Sequence, residues 1–130
     1  MPYYPSIPSP CYVLEENLLI ANLELLKRVQ QEAGIDIICA LKGFSFYHEF
    51  PLVKQFLAGA TASSLHEARL AFEEMGVRPH VYSPAYLEAD WEELASYAGH
   101  ITFNSLNQYN QFKDRAHASG ISCGLRINPV

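Results

Sequence analysis

Apolar runs and helix-forming stretches alternate along this chain with a nearly constant period. The runs end at Lys42, Ser64, Pro84, Ser105 and Pro129, roughly 20–24 residues apart. Between them, apolar residues fall at helical steps, and most of these stretches close on a glycine: Gly34, Gly76, Gly99 or Gly120. Strict alternation at this spacing means βα units and a parallel sheet covered by helices. Such a sheet can stay open and doubly wound or close into a barrel. No G-x-G-x-x-G follows any of the runs, which argues against a dinucleotide-binding unit and leaves the barrel as the expected closure.

In chain order, residues 1–10 hold four prolines and read as an extended lead-in. Cys11–Leu14 reads as a short strand. Glu15 and Glu16 then open a helix whose apolar face is expected to be Leu14, Leu18, Ala21, Leu25 and Val29, closed by Gly34. The run Ile35 to Leu41 is the first barrel strand. An aromatic loop, Gly43 to Tyr47, leads into a helix reaching about Ala58. Strands are expected at 59–64, 80–84, 101–105 and 122–129, and helices at 65–75, 87–97 and 106–119. The expected division is a lead-in over 1–14 and a partial (β/α) barrel over 15–130.

A (β/α)8 barrel typically needs about 250 residues, whereas this chain has 130. Five strands leave an unpaired parallel edge, so the sequence reads as the front part of something longer. Composition is globular, with 49% hydrophobic and 18% charged residues. A net charge of −5 without a basic run argues against nucleic acid as a partner and suits a cationic small molecule. No apolar stretch is long enough to span a bilayer and no leader is evident, so the expected location is the cytoplasm. Cys11, Cys39 and Cys123 are scattered through apolar runs and read as reduced, buried thiols.

Chemistry concentrates at Ala40-Leu41-Lys42-Gly43. A lysine ending a buried strand must project from the strand's C-terminal end, the face where barrel enzymes work. Among apolar neighbours its amine would be desolvated and more often neutral, which a Schiff-base lysine requires. On the local pattern alone, a merely solvated strand-end lysine is favoured.

Longer blocks change that balance. Pro8-Ser9-Pro10-Cys11-Tyr12-Val13-Leu14, Ala40-Leu41-Lys42-Gly43-Phe44 and Thr61-Ala62-Ser63-Ser64-Leu65-His66-Glu67-Ala68-Arg69 come in that order. They are followed by His80-Val81-Tyr82-Ser83-Pro84-Ala85-Tyr86, Phe103-Asn104-Ser105-Leu106 and Gly124-Leu125-Arg126-Ile127-Asn128-Pro129. Together they resemble the fold-type III, alanine-racemase-like pyridoxal-phosphate decarboxylases, and within these the carboxynorspermidine/carboxyspermidine branch of polyamine synthesis. The resemblance implies the front of a TIM-type barrel, normally followed by the rest of the barrel and a C-terminal β domain that the Cys11–Leu14 strand would join. It implies pyridoxal 5'-phosphate bound covalently by Lys42, with Arg126 approaching its phenolic oxygen and Ser64 closing on it. The alternatives at the last two positions are a surface arginine paired with an acid and a plain strand-end serine. Thr61 stands where ornithine and diaminopimelate decarboxylases commonly carry an Asp or similar polar pattern, which favours the carboxynorspermidine branch. The resemblance further implies a polyamine amino-acid substrate and a homodimer sharing its active sites. Competing readings are an ornithine- or diaminopimelate-type decarboxylase, a cofactor-homeostasis barrel, and an inactive remnant or interaction module.

Several signals carry less. His66-Glu67 and His48-Glu49 lack a second histidine four positions on, so no metal is expected. His66 reads as packed near the barrel mouth and His48 as helix surface. Glu67 reads equally as a pocket support or a helix-start acid, and Asn128 as a strand exit or pocket donor. The aromatic clusters Tyr3–Tyr4 and Phe44, Phe46, Tyr47 read as core or interface packing.

Overall fold

A computed structural model describes residues 7–129 of the chain. Tyr3, Tyr4 and the start of the lead-in lie outside the described residues. Five strands, β1 (Ile38–Ala40), β2 (Gly59–Ala62), β3 (His80–Tyr82), β4 (His100–Phe103) and β5 (Ser122–Leu125), form one all-parallel sheet in sequential order. Helices α1 (Glu16–Ala33), α2 (Phe50–Val53), α3 (Leu65–Leu70), α4 (Trp91–Tyr97) and α5 (Leu106–Ala118) alternate with them. Sequential parallel order with same-handed crossovers puts every helix on one side of the sheet, as in a barrel wall. A doubly wound sheet would reverse its order partway.

Burial agrees. Cys39, Ala60, Ala62, Val81, Ile101 and Phe103 are buried against the helices. Their alternates on the same strands, Thr61, Tyr82, His100 and Thr102, are only half-buried and His80 is exposed. The core is therefore a single layer between the sheet and its helices, in two clusters. One gathers Leu23, Leu41, Phe50, Val53 and Met75; the other is centred on Trp91, Phe103 and Phe112. Trp91 stacks on Phe112 at 4.2 Å, and Tyr86 meets Trp91, Phe103 and Phe112 edge-on. The Tyr86 hydroxyl donates to Thr102 O at 2.8 Å and accepts from Ser83 N at 3.1 Å, tying the exit of β3 to β4. Burial pushes its pKa up to about 12.

Five details depart from the expectations above. First, α1 docks by Leu19, Leu23 and Gln30, while Leu18, Leu25 and Val29 are exposed. Two apolar stripes run along this helix, and periodicity cannot choose between them. Gln30 decides it: its amide donates to Phe56 O at 2.8 Å and accepts from Ile37 N at 2.7 Å, fixing the helix to the approach of β1. Gly34 then ends the helix in the left-handed region, φ 65°. Second, the helix expected to reach Ala58 is one 3-10 turn (Tyr47–Glu49) plus α2, and turns follow. Third, the stretch expected to be one helix over 65–75 continues from α3 as a π-helical turn (Ala71–Met75), and a 3-10 turn (Glu88–Asp90) opens α4. Fourth, Cys11 is exposed, not buried, and only Cys39 of the three thiols is fully buried; Cys11–Leu14, expected to join a C-terminal β domain, joins no strand of this sheet. Fifth, His66 is exposed instead of packed. Among the described residues no helix is long and apolar enough to cross a membrane, and no cluster of metal-ligating side chains occurs.

Candidate functional site

The C-terminal ends of the strands carry the chemically useful side chains. Lys42 sits in the turn after β1, where Gly43 N and Phe44 N both donate to Ala40 O, at 2.9 and 3.0 Å. The turn is thus clamped onto the end of its strand, and Leu41, just before the lysine, is buried under it. Lys42 itself is exposed, without the apolar enclosure expected for it. Beside it runs an open groove of about 380 Å³, lined by Tyr12, Val13, Leu14, Gly43, Phe44 and Phe46. The lead-in therefore lies along the lysine turn even though it joins no strand of this sheet.

Ser64 is the N-cap of α3: its Oγ accepts from Glu67 N at 3.2 Å, and the Glu67 carboxylate accepts from Ser63 N at 2.6 Å. This reciprocal arrangement is a capping box displaced by one residue. It accounts for Glu67 as a helix-start acid. The same pattern recurs at α5, where Ser105 Oγ accepts from Gln108 N at 3.2 Å and Gln108 Oε1 from Asn104 N at 2.8 Å. The Ser64 oxygen is thus engaged, while its hydroxyl hydrogen remains for another acceptor. Asn128 is exposed at the end of the described chain.

Arg126 follows β5 directly, and its backbone N–H extends the ladder to Phe103 O at 2.8 Å. Its Nη1 donates to Tyr82 Oη at 2.5 Å, and its guanidinium carbon lies 5.5 Å from the centre of that ring. Tyr82 Oη in turn donates to Asn104 Oδ1 at 3.0 Å. Among the described residues the arginine pairs with a tyrosine, then, and not with an acid. Lys42, Ser64 and Arg126 share one end of the sheet but belong to β1, β2 and β5.

Below them the face turned away from the helices is polar. Strand register aligns Ala40, Thr61, His80, His100 and Ser122 in one row across the sheet. His80 and His100 stack at 5.0 Å. The His100 ring nitrogens reach Ser122 Oγ at 3.1 Å and Thr102 Oγ1 at 3.2 Å. Partial burial, and then the neighbouring His80, push the His100 pKa below its usual value. Gly124 faces this pair closely: a Cβ there would come within 2.9 Å of His100 Nε2. Burial raises the Cys39 and Cys123 thiols, which suits inert packing and not nucleophilic work.

Tyr82, Asn104, His80 and His100 escaped selection as site residues in the sequence. Their signal is a period of two, His80-x-Tyr82, His100-x-Thr102-x-Asn104 and Ser122-x-Gly124-x-Arg126, polar or small at each second position.

As a donor set, Lys42 offers a primary amine for an aldehyde and Arg126 a guanidinium for a phenolic oxygen. That chemistry fits pyridoxal phosphate in the contacts these residues can supply.

No protein-family model matches the chain. Over 98% of its length it is 49% identical to the carboxyaminopropylagmatine decarboxylase of Synechocystis sp., covering 33% of that protein. Over 97% it is 42% identical to a carboxynorspermidine/carboxyspermidine decarboxylase of Campylobacter jejuni, covering 32% of it. Among solved structures it matches carboxynorspermidine decarboxylase from Campylobacter jejuni, in complex with norspermidine, at TM-score 0.85 and 41% identity. That match takes in 90% of this chain and 31% of the other. The chain spans about a third of the length of the curated relatives it matches. Its five-stranded α/β sheet is a match to a fragment of that decarboxylase structure.

Proposed function

We propose that this chain supplies the front of the barrel of a pyridoxal-phosphate-dependent carboxy-lyase acting on a carboxylated polyamine, in polyamine biosynthesis. The observation that carries the reading is identity of 42–49% along essentially the whole chain with decarboxylases named for such substrates. Lys42 and Arg126 at one end of the sheet support it. The net charge of −5 favours a substrate rich in ammonium groups.

Pyridoxal phosphate, when bound, supplies the electron sink that takes up the pair left as the substrate's carboxylate departs as CO2, before a proton returns to the same carbon. Lys42 Nζ is the atom that would hold the cofactor's aldehyde carbon and give it up to the substrate's amine. The doubly bonded turn at Ala40 fixes where that nitrogen starts from. Arg126, held from β5, would oppose negative charge on the phenolic oxygen. Ser64 can donate its hydroxyl hydrogen toward the cofactor while continuing to cap α3. The carboxylated substrates of the named relatives, carboxyaminopropylagmatine, carboxynorspermidine and carboxyspermidine, are the candidates. A homodimer and a cytoplasmic location complete the reading.

The test is an absorbance spectrum of the purified protein with pyridoxal phosphate, before and after borohydride, beside Lys42→Ala. The expected result is a band that reduction fixes covalently in the native protein and that the variant lacks. Decarboxylation of the three substrates is then compared, with activity lost in Lys42→Ala by at least about a thousandfold. A borohydride-stable adduct of equal yield in Lys42→Ala would overturn the assignment of the lysine.

A further inference from the structure

We infer that Tyr82, oriented by Asn104, is the positioning residue that aims the Arg126 guanidinium across the end of the sheet. This rests on the reading of Arg126 as the group that faces the cofactor's phenolic oxygen.

Three consecutive strand exits contribute: Tyr82 ends β3, Asn104 follows β4 and Arg126 follows β5. The Arg126–Tyr82 bond therefore bridges over β4, which lies between them in the sheet. Tyr82 is in register with Thr102 and, beyond it, Gly124, so the side chains under the bridge are small. The bond has a direction. Arg126 has only donors, so Tyr82 Oη must accept, and its own hydrogen needs an acceptor elsewhere. Asn104 Oδ1, at 3.0 Å, supplies it. Asn104 is itself held, since its backbone N–H donates to Gln108 Oε1, and Gln108 Nε2 reaches Pro84 O at 3.3 Å. The ring adds a second hold, through the guanidinium at 5.5 Å from its centre.

Stability is a poor explanation for this arrangement. Arg126 is exposed, and one exposed hydrogen bond of this kind contributes little to folding. Its effect is on direction. Among the described residues the guanidinium makes this one side-chain hydrogen bond, so its remaining N–H groups stay available to an anionic oxygen. A long side chain with several rotatable bonds would otherwise sweep a wide arc at the mouth.

Tyr82→Phe separates these roles, because it keeps the ring and removes only the acceptor. In the purified protein without cofactor, rotation of the Arg126 guanidinium is read from its side-chain nitrogen resonances. We expect about fivefold faster exchange in Tyr82→Phe and a smaller rise in Asn104→Ala, with the melting temperature little changed. With pyridoxal phosphate added, the two absorption bands of the lysine adduct report the charge state of the phenolic oxygen. Their ratio should move in Tyr82→Phe in the direction set by Arg126→Gln, and less far. Unchanged guanidinium exchange in Tyr82→Phe overturns the inference, as does a lowered melting temperature with exchange unaltered, which would make the tyrosine a structural latch. If no adduct forms on Lys42, the cofactor reading falls, and the exchange rates alone decide the role of Tyr82.

Discussion

His100 shows what a single residue contributes to this sheet. Its ring is partly buried, stacked on His80 and bonded to the hydroxyls of Ser122 and Thr102, so the folded protein favours the neutral imidazole. The unfolded chain, with the ordinary value of 6.5, takes up a proton at a higher pH than the folded one does. Stability at this site is therefore complete above the usual histidine range and falls as pH drops through it. Urea unfolding across that range should show a declining midpoint, and His100→Asn should flatten the decline. An equally steep decline in the variant would place the titration elsewhere. Lys42 could be singled out from its neighbours in sequence, and Arg126 from the family resemblance. Tyr82 and Asn104 could not, because their significance is a contact across three strands, and no local pattern records which exits meet.

At the scale of elements, two helices begin in the same way. Ser64 caps α3 and Ser105 caps α5, each with a partner three residues on that reaches back to the preceding backbone N–H. Ser105→Ala should cost about 1 kcal/mol, seen as a lower urea midpoint. Ser64→Ala should cost a similar amount and, separately, weaken pyridoxal phosphate binding if its hydroxyl hydrogen reaches the cofactor. Loss of stability alone would leave the serine a cap. Glycine stops and apolar runs made most element boundaries legible. The exceptions are instructive. The inward face of α1 was misread because Leu18, Leu25 and Val29 repeat as regularly as Leu19, Leu23 and Leu26, and a polar residue, Gln30, selects between them. The segment after Tyr47 reads as one helix to about Ala58, but only Phe50–Val53 is α-helical, between a 3-10 turn and further turns.

At the scale of the whole molecule, β1 and β5 each pair on one side only within the described sheet, and among the described residues no layer covers the polar face turned away from the helices. Parallel strands with open edges, together with exposed Leu18, Leu25, Leu106 and Ile127, favour association with other surfaces. Sedimentation of these 130 residues alone should therefore show concentration-dependent self-association. A monodisperse monomer at high concentration would count against the open-edged sheet.

The sequence by itself determined the order of strands and helices, the parallel sheet, the closing glycines and the place of Lys42 at a strand end. Each of these follows from local pattern and chain period, because neighbouring residues fix them. Only the tertiary structure decided which stripe of α1 faces inward, that Ser64 is engaged in a cap, and that Arg126 rests on Tyr82 over β4. The last of these depends on register between strands about 20 residues apart, where a side chain's partner is set by sheet geometry and not by its neighbours in the chain.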